Sequence, residues 1–153
     1  MRKSAGILLY RISNQVLEVL LVHPGGPFWK NKDAGAWSIP KGEFSDEEDP
    51  LEAALRELQE ETGLPVKRST CKPLTPVKQK AGKQILAWAM KGNLDTTKIN
   101  SNTFEIEWPP KSGKMQTFPE VDRADWFSIP AAKEKINPAQ AALLDELAAM
   151  NKL

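Results

Sequence analysis

Residues 49–63 constrain the fold more than any other stretch, because they carry a start signal, a periodic interior and a stop signal for one helix. Asp49 suits the N-cap, and Pro50 suits the first helical position, where a missing N–H leaves no bond unmade. Glu52 stands three residues after the cap, as in a capping box. Leu51, Ala54, Leu55 and Leu58 recur at the spacing of a buried stripe. Gly63 suits the left-handed position past the last turn, and Pro65 blocks continuation. At about 100° per residue, Glu57, Glu60 and Glu61 share an arc of roughly 100°, mostly opposite the leucines. The expectation is an amphipathic helix with the core on one side and three carboxylates pointing away from it.

The rest of the chain reads as short strands, loops and one more helix. Residues 3–11 and 16–22 predict a hairpin about Ser13-Asn14. Residues 36–39 predict a short extended piece ended by Pro40, residues 74–79 and 84–90 predict two strands around Ala81-Gly82, residues 103–108 alternate as a half-buried strand does, and residues 124–127 predict a last short strand. Residues 23–29 form a Gly/Pro loop with two aromatics, Phe28 and Trp29. Residues 92–102 and 109–114 are loops. A second helix is expected over 138–150, capped by Asn137, with Ala141, Leu144, Leu147 and Ala148 inward and Leu143 beside them. Without a regular βαβ alternation the class is α+β.

The 153 residues fit one domain, 1–153, and 41 % apolar with 27 % charged residues is an ordinary globular balance. The net charge of +1 leaves no global field to draw in nucleic acid or a membrane, so affinity for anions must be local. Cys71 is alone, which excludes an internal disulfide. No apolar run nears the roughly 20 residues of a membrane span. The apolar run after Arg2 and Lys3 ends at Arg11 and is too short for a signal-peptide core, so the expected location is cytoplasmic.

Taken alone, Glu57-Leu58-Gln59-Glu60-Glu61 reads as a solvated helix face, since Glu is a good helix former. The surroundings reverse that reading. Gly42, Glu48, Arg56-Glu57-Leu58, Glu60-Glu61 and Gly63-Leu64 match a Gly, Glu, Arg-Glu-apolar, Glu-Glu, Gly-apolar spacing whose chance occurrence at one start is on the order of one in a billion. This is the Nudix box, over residues 42–64, and the sequence resembles the Nudix hydrolase family across its single-domain length. The resemblance implies an α/β/α sandwich with a mixed β-sheet, the box forming loop, helix and loop.

Three clustered carboxylates repel one another, and a divalent cation removes the penalty. Oxygen ligands without thiolates or a His cluster favour Mg2+, with Mn2+ as a substitute. Metal ions neutralise a polyphosphate and activate water, which anhydride hydrolysis requires. By resemblance Glu57, Glu60 and Glu61 ligate metal together with a backbone carbonyl near Lys41 or Gly42, and Arg56 orients a catalytic glutamate. Which glutamate deprotonates the water differs within the family, so Glu57 and Glu60 stay open. From the residues alone Arg56 is also readable as a surface pair with Glu60. Glu48 either reaches metal through water or supports the loop.

Substrate choice lies outside the box. Pro40-Lys41-Gly42 resembles the Nudix branches that act on dinucleoside polyphosphates and inositol pyrophosphates, with Lys41 on a substrate phosphate; an exposed surface lysine is the alternative. Glu120 resembles a late acidic residue that assists the metals or the water, with Glu105 and Glu107 as competitors. Trp29, beside Lys30 and Lys32, reads as a substrate-binding rim. Trp88 and Trp126 read as core, Cys71 as a small buried residue, and His23 lacks a Ser or Cys partner for catalysis. The reading is a Mg2+-dependent pyrophosphohydrolase of a dinucleoside polyphosphate such as diadenosine tetraphosphate. Its rivals are a pyrophosphohydrolase of nucleoside triphosphates, oxidised ones included, and a non-catalytic module that senses nucleotides, against which the intact box argues. The expected partner is a small nucleotide rather than nucleic acid or a membrane, with the chain as monomer or homodimer.

Overall fold

The computed structural model describes residues 3–79 and 82–151. Arg2 and Ala81, both used above, lie outside the described residues. In chain order the elements are β1 (Lys3–Ser13), β2 (Val16–Pro24), β3 (Lys41–Glu43), α1 (Pro50–Thr62), β4 (Cys71–Pro73), β5 (Val77–Lys78), β6 (Gln84–Lys91), β7 (Thr103–Glu107), β8 (Met115–Pro119), β9 (Val121–Ser128), α2 (Ile129–Lys135) and α3 (Ala141–Met150).

β1 and β2 pair antiparallel, and the two residues between them, Asn14 and Gln15, take positive φ of 50° and 66°. Two left-handed residues give the turn twist that matches the strands. The main sheet runs β4-β6-β1-β2-β9, with β3 paired to β1 and β5 to β6. Only β1 and β6 run parallel, so the sheet is mixed. β7 and β8 form a separate two-stranded sheet.

The alternation along β1 and β2 sorts two cores. Leu8, Leu17, Val19 and Leu21 face Ala132 of α2 and Leu143, Leu144 and Leu147 of α3. Ile7, Leu9, Leu20 and Val22 face Ala53, Ala54 and Leu58 of α1. A sheet covered on both sides by helices is the expected α/β/α sandwich.

Several boundaries differ from the sequence expectation. Residues 74–79 do not form one strand: Leu74 is buried, and pairing is confined to β4 before it and β5 after it. The second helix starts later, because Asn137 caps a 3-10 turn over Pro138–Gln140 before α3 begins. β8 and α2 were not expected. β8 buries no side chain fully, so it lacks a hydrophobic alternation. α2 is only seven residues long and buries one alanine, although Ser128 accepts from Ala131 N as its cap.

Candidate active site

α1 begins and ends where its caps dictate. The Asp49 carboxylate accepts from Glu52 N at 3.0 Å, and Gly63, at φ 69°, donates its N–H to Gln59 O. The Glu52 side chain pairs with Arg68 at 2.7 Å instead of closing a capping box. The buried face includes Ala54 and Leu58 of the expected stripe, but its centre lies elsewhere. Ala53, Ala54, Glu57, Leu58 and Thr62 are buried, while Leu51 and Leu55 are only partly covered. On the wheel this face is turned roughly 70° from the leucine stripe, toward the carboxylates. The cause is local. Small Ala53 and Ala54 pack into the core on the β1 side, and Gly42 of β3 leaves room where the Glu57 carboxylate sits. A Cβ at Gly42 would overlap that carboxylate. Glu57, 8 % exposed, therefore faces β3 rather than solvent, and Glu61 follows it.

A single guanidinium organises this seam. Arg56 Nη1 donates to Glu57 Oε1 at 3.0 Å and to both carboxylate oxygens of Glu60 at 3.2 Å. Its Nη2 donates to Glu48 Oε2 at 3.1 Å. The pairing with Glu60 alone would be an ordinary surface pair, whereas here Arg56 joins three glutamates of the box. Glu61 instead accepts the backbone N–H of Lys41 at 3.2 Å. Burial, then the charge of Glu60, raises the Glu57 carboxyl above its usual range. Burial and the nearby Glu57 push Glu61 up to about 8. Burial holds the Lys41 ammonium below its ordinary value, with Glu61 opposing that shift. Lys41 is thus half-buried against the seam rather than free on the surface.

Backbone bonds deliver Glu120 to the same place. Asn100 N donates to Thr62 O at 2.8 Å and Asn102 N to Glu60 O at 2.9 Å, so the segment after the 3-10 turn Thr96–Lys98 satisfies carbonyls that the end of α1 leaves free. Glu120 N then donates to Asn102 O at 2.8 Å, and Glu120 O accepts from Gly25 N at 2.9 Å. Burial and the charge of Glu60 raise the Glu120 carboxyl. The two competitors go elsewhere. Glu107 accepts from Lys111 N at 2.8 Å, and Glu105 faces Thr117 across the β7–β8 hairpin. Gly63 is structural, since a side chain there would overlap Asn100 O. Asn102, which links the helix to Glu120, carries no motif in the sequence, and its role rests on a backbone pairing that only the fold creates.

The aromatic expectations divide. Trp29 is exposed, with the Lys32 ammonium 5.1 Å from its ring. Trp88 and Trp126 are half-buried against the α1-side core, and Trp126 Nε1 donates to Leu94 O. His23 is buried between the Asp122 carboxylate, 2.7 Å from Nδ1, and the Lys32 carbonyl, 2.6 Å from Nε2, which is a structural placement. Cys71 is half-buried, and burial pushes its thiol up, away from nucleophile chemistry.

Among the described residues, no three His, Cys, Asp or Glu side chains already converge as an ion's ligands. The donor chemistry nevertheless suits a hard divalent cation: carboxylate oxygens only, crowded and partly desolvated. An ionised carboxylate offers about four lone-pair sites, so Glu57 and Glu60 can ligate a cation while Arg56 donates to them.

An α/β/α sandwich that wedges an Arg-linked glutamate cluster between one helix and a short strand defines the class. The NUDIX domain profile matches residues 1–147, and the chain belongs to the Nudix family. Among solved structures, an Ap4A hydrolase of C. elegans in a binary complex shares the fold at a TM-score of 0.64, with 22 % identity over 98 % of this chain and 97 % of that one. Among curated proteins, an octanoyltransferase of Myxococcus xanthus is 30 % identical over 102 residues, covering 67 % of this chain and 25 % of the relative. An RNA pyrophosphohydrolase of Cereibacter sphaeroides is 58 % identical over 33 residues, covering 22 % of this chain and 20 % of the relative. The chain thus spans a quarter or less of the length of these two curated relatives. No helix among the described residues is long and apolar enough to cross a membrane.

Proposed function

We propose that the protein is a Mg2+-dependent pyrophosphohydrolase of dinucleoside polyphosphates, such as diadenosine tetraphosphate. The carrying observation is the partly desolvated pair Glu57 and Glu61, held together against their own repulsion and raised above the usual carboxylate range. In this reading Glu57, Glu60 and Glu61 hold the cation, with a backbone contribution from Gly42, and Mn2+ substitutes for Mg2+. The bound cation supplies charge neutralisation of the polyphosphate and an acidified water. Arg56 donates to the carboxylates of Glu57, Glu60 and Glu48 and so acts as a positioning residue. Lys41 adds positive charge on the Glu61 side of the seam. Glu120, in the bend between β8 and β9, has its charge coupled to Glu60, and with Glu57 and Glu60 it is a candidate base for the attacking water. The Pro40-Lys41-Gly42 lead-in and the placement of Glu120 support the dinucleoside substrate.

A second reading, a 5′-triphosphorylated RNA end, is favoured by the short identity with the RNA pyrophosphohydrolase. Free nucleoside triphosphates, oxidised ones included, are a third. One experiment separates them. Purified protein with Mg2+ is given diadenosine tetraphosphate, ATP, 8-oxo-GTP and 5′-triphosphorylated RNA in oxygen-18 water, and the products are resolved by mass. Cleavage of the dinucleotide with label on one nucleotide product supports the proposal. Cleavage of free triphosphates alone sinks it. Nucleotide binding without turnover, unchanged in Glu57→Gln, supports a sensing module and an expected cytoplasmic regulator instead.

A further inference from the structure

Next along the chain to Glu120 lies a cleft of about 540 Å3, mostly apolar, lined by Pro27, Trp108, Gln116, Phe118 and Pro119. Its size falls in the range of small-ligand sites. It is built from two segments that the sequence does not connect: the loop after β2 and the detached β7–β8 hairpin. Two glycines dock one on the other. A side chain on Gly25 would overlap Pro119 O, and one on Gly26 would come within 2.8 Å of the Phe104 ring. Phe28 packs edge-on against Trp108 at 5.3 Å, which steadies that indole. The cleft wall is therefore fixed by packing before any ligand arrives.

The position of the cleft says what it takes. Pro119 lines it, and the next residue is Glu120, whose backbone is bonded to Gly25 on one side and through Asn102 to the box helix on the other. A ring seated against Pro119 lies one residue along the chain from Glu120, and the backbone bonds of Glu120 tie that end of the cleft to the box helix. The polar groups of the cleft are few. Asp122 is already engaged by His23, and Lys30 brings a cation to the lining. Gln116 is oriented: its Nε2 donates to Trp108 O at 2.7 Å. That carbonyl accepts only, so the amide cannot be flipped, and Oε1 remains as a hydrogen-bond acceptor.

We propose that this cleft is the nucleobase subsite of the enzyme, in which Trp108 and Phe118 hold the ring and Gln116 Oε1 selects bases that carry an exocyclic amino group. The proposal rests on the hydrolase reading for its substrate but not for its binding test. An acceptor at Gln116 suits the amino group of adenine and repels the carbonyl that replaces it in hypoxanthine. Trp108, rather than the exposed Trp29, becomes the aromatic that sets substrate affinity.

The test uses the full chain. Binding of AMP and of IMP is followed by tryptophan fluorescence and by proton NMR, and KM and kcat are measured with diadenosine and diinosine tetraphosphates. AMP is expected to bind more tightly than IMP by about 5- to 10-fold. Trp108→Leu is expected to weaken AMP binding and raise KM by about 10-fold or more, with kcat changed far less, since the base loses its aromatic stacking partner. Gln116→Leu should erase the AMP preference while leaving IMP binding in place. Phe118→Leu serves as a second probe if Trp108→Leu lowers the melting temperature. If all three variants keep the parent KM and AMP affinity, the cleft is not the subsite, even where Glu57→Gln has abolished turnover and upheld the hydrolase reading. If no anhydride is cleaved but AMP binds and Trp108→Leu removes it, the subsite stands and the hydrolase reading falls.

Discussion

α1 and α3 cover opposite faces of one sheet, and they bury opposite kinds of surface. α3 buries Leu143, Leu144 and Leu147, all fully inaccessible. Each such side chain contributes on the order of 1.5–3 kcal/mol, so α3 is held by packing. α1 buries two alanines, one leucine, Thr62 and Glu57. Its packing gain is smaller, and part of it is spent on holding like charges together. What fixes α1 is its two caps, the Arg56 contacts, and the bonds from Asn100 and Asn102 at its C-terminal end. A helix that only stabilises can place its largest apolar residues inward. A helix that carries chemistry turns its small residues inward, so that a polar side chain reaches the sheet.

The sharpest way to break this comparison is Glu57→Gln. Under the proposed function, kcat/KM with Mg2+ falls by about 10^3-fold, roughly 4 kcal/mol of transition-state stabilisation. Thermal stability holds or rises, because a partly desolvated, repelling charge is gone. Retention of a tenth of the parent rate would remove Glu57 from the chemistry. The mirror experiment is Leu144→Ala on the other face. It should cost about 2–5 kcal/mol in urea unfolding, from lost transfer energy and a cavity. Under native conditions kcat and KM should stay near the parent values; a large change in kcat would show that the faces are coupled.

How much of this was legible in the chain follows the same division. The caps at Asp49 and Gly63, the box spacing and the Arg56 contacts with Glu57 and Glu60 were readable because they are local: each depends on residues within one or two turns. The stripe of α1 is legible in part: Ala54 and Leu58 are buried and Leu51 and Leu55 pack beside them, whereas buried Ala53 and Glu57 carry no strong hydrophobic signal, since close approach depends on small residues. The box marks Gly42 for a backbone contribution to a metal, yet the Glu57 side chain packed on it emerges only with the strand pairing Ala5↔Gly42. Glu120 was distinguishable from Glu105 and Glu107 only after the fold had threaded Asn102 between α1 and β9. The cleft was the least legible part. β8 shows no clear alternation, and Gln116 and Phe118 carry no motif.

Gly42→Ala sharpens the comparison from the sheet side. The new methyl overlaps the Glu57 carboxylate and must displace it. A displacement of about 1 Å at a reacting group costs on the order of 10^2-fold in rate, so kcat should fall by about that factor under saturating Mg2+. Far-UV circular dichroism should be unchanged, since β3 tolerates alanine in an extended conformation. An unaltered kcat would mean that the Glu57 position is not set by β3.

The smallest effect is the pH dependence of stability without divalent cation. Glu61 has a folded-state pKa of about 8 against an ordinary 4.5, so between these values the folded chain keeps a proton that the unfolded chain has released. Stability must therefore fall as pH rises through that window. In EDTA the melting temperature should drop by a few degrees between pH 5.5 and pH 8, and Glu61→Gln should flatten the slope, since the amide carries no charge to bury. Mg2+ should restore more stability at pH 8 than at pH 5.5, because cation and proton compete for the same carboxylates. Leu144→Ala should lower the whole curve without changing its slope, since α3 brings no carboxylate to the seam. A parent slope of zero, or a slope that Glu61→Gln leaves intact, would mean that the α1 face bears no electrostatic cost and that the two helices differ only in side-chain size.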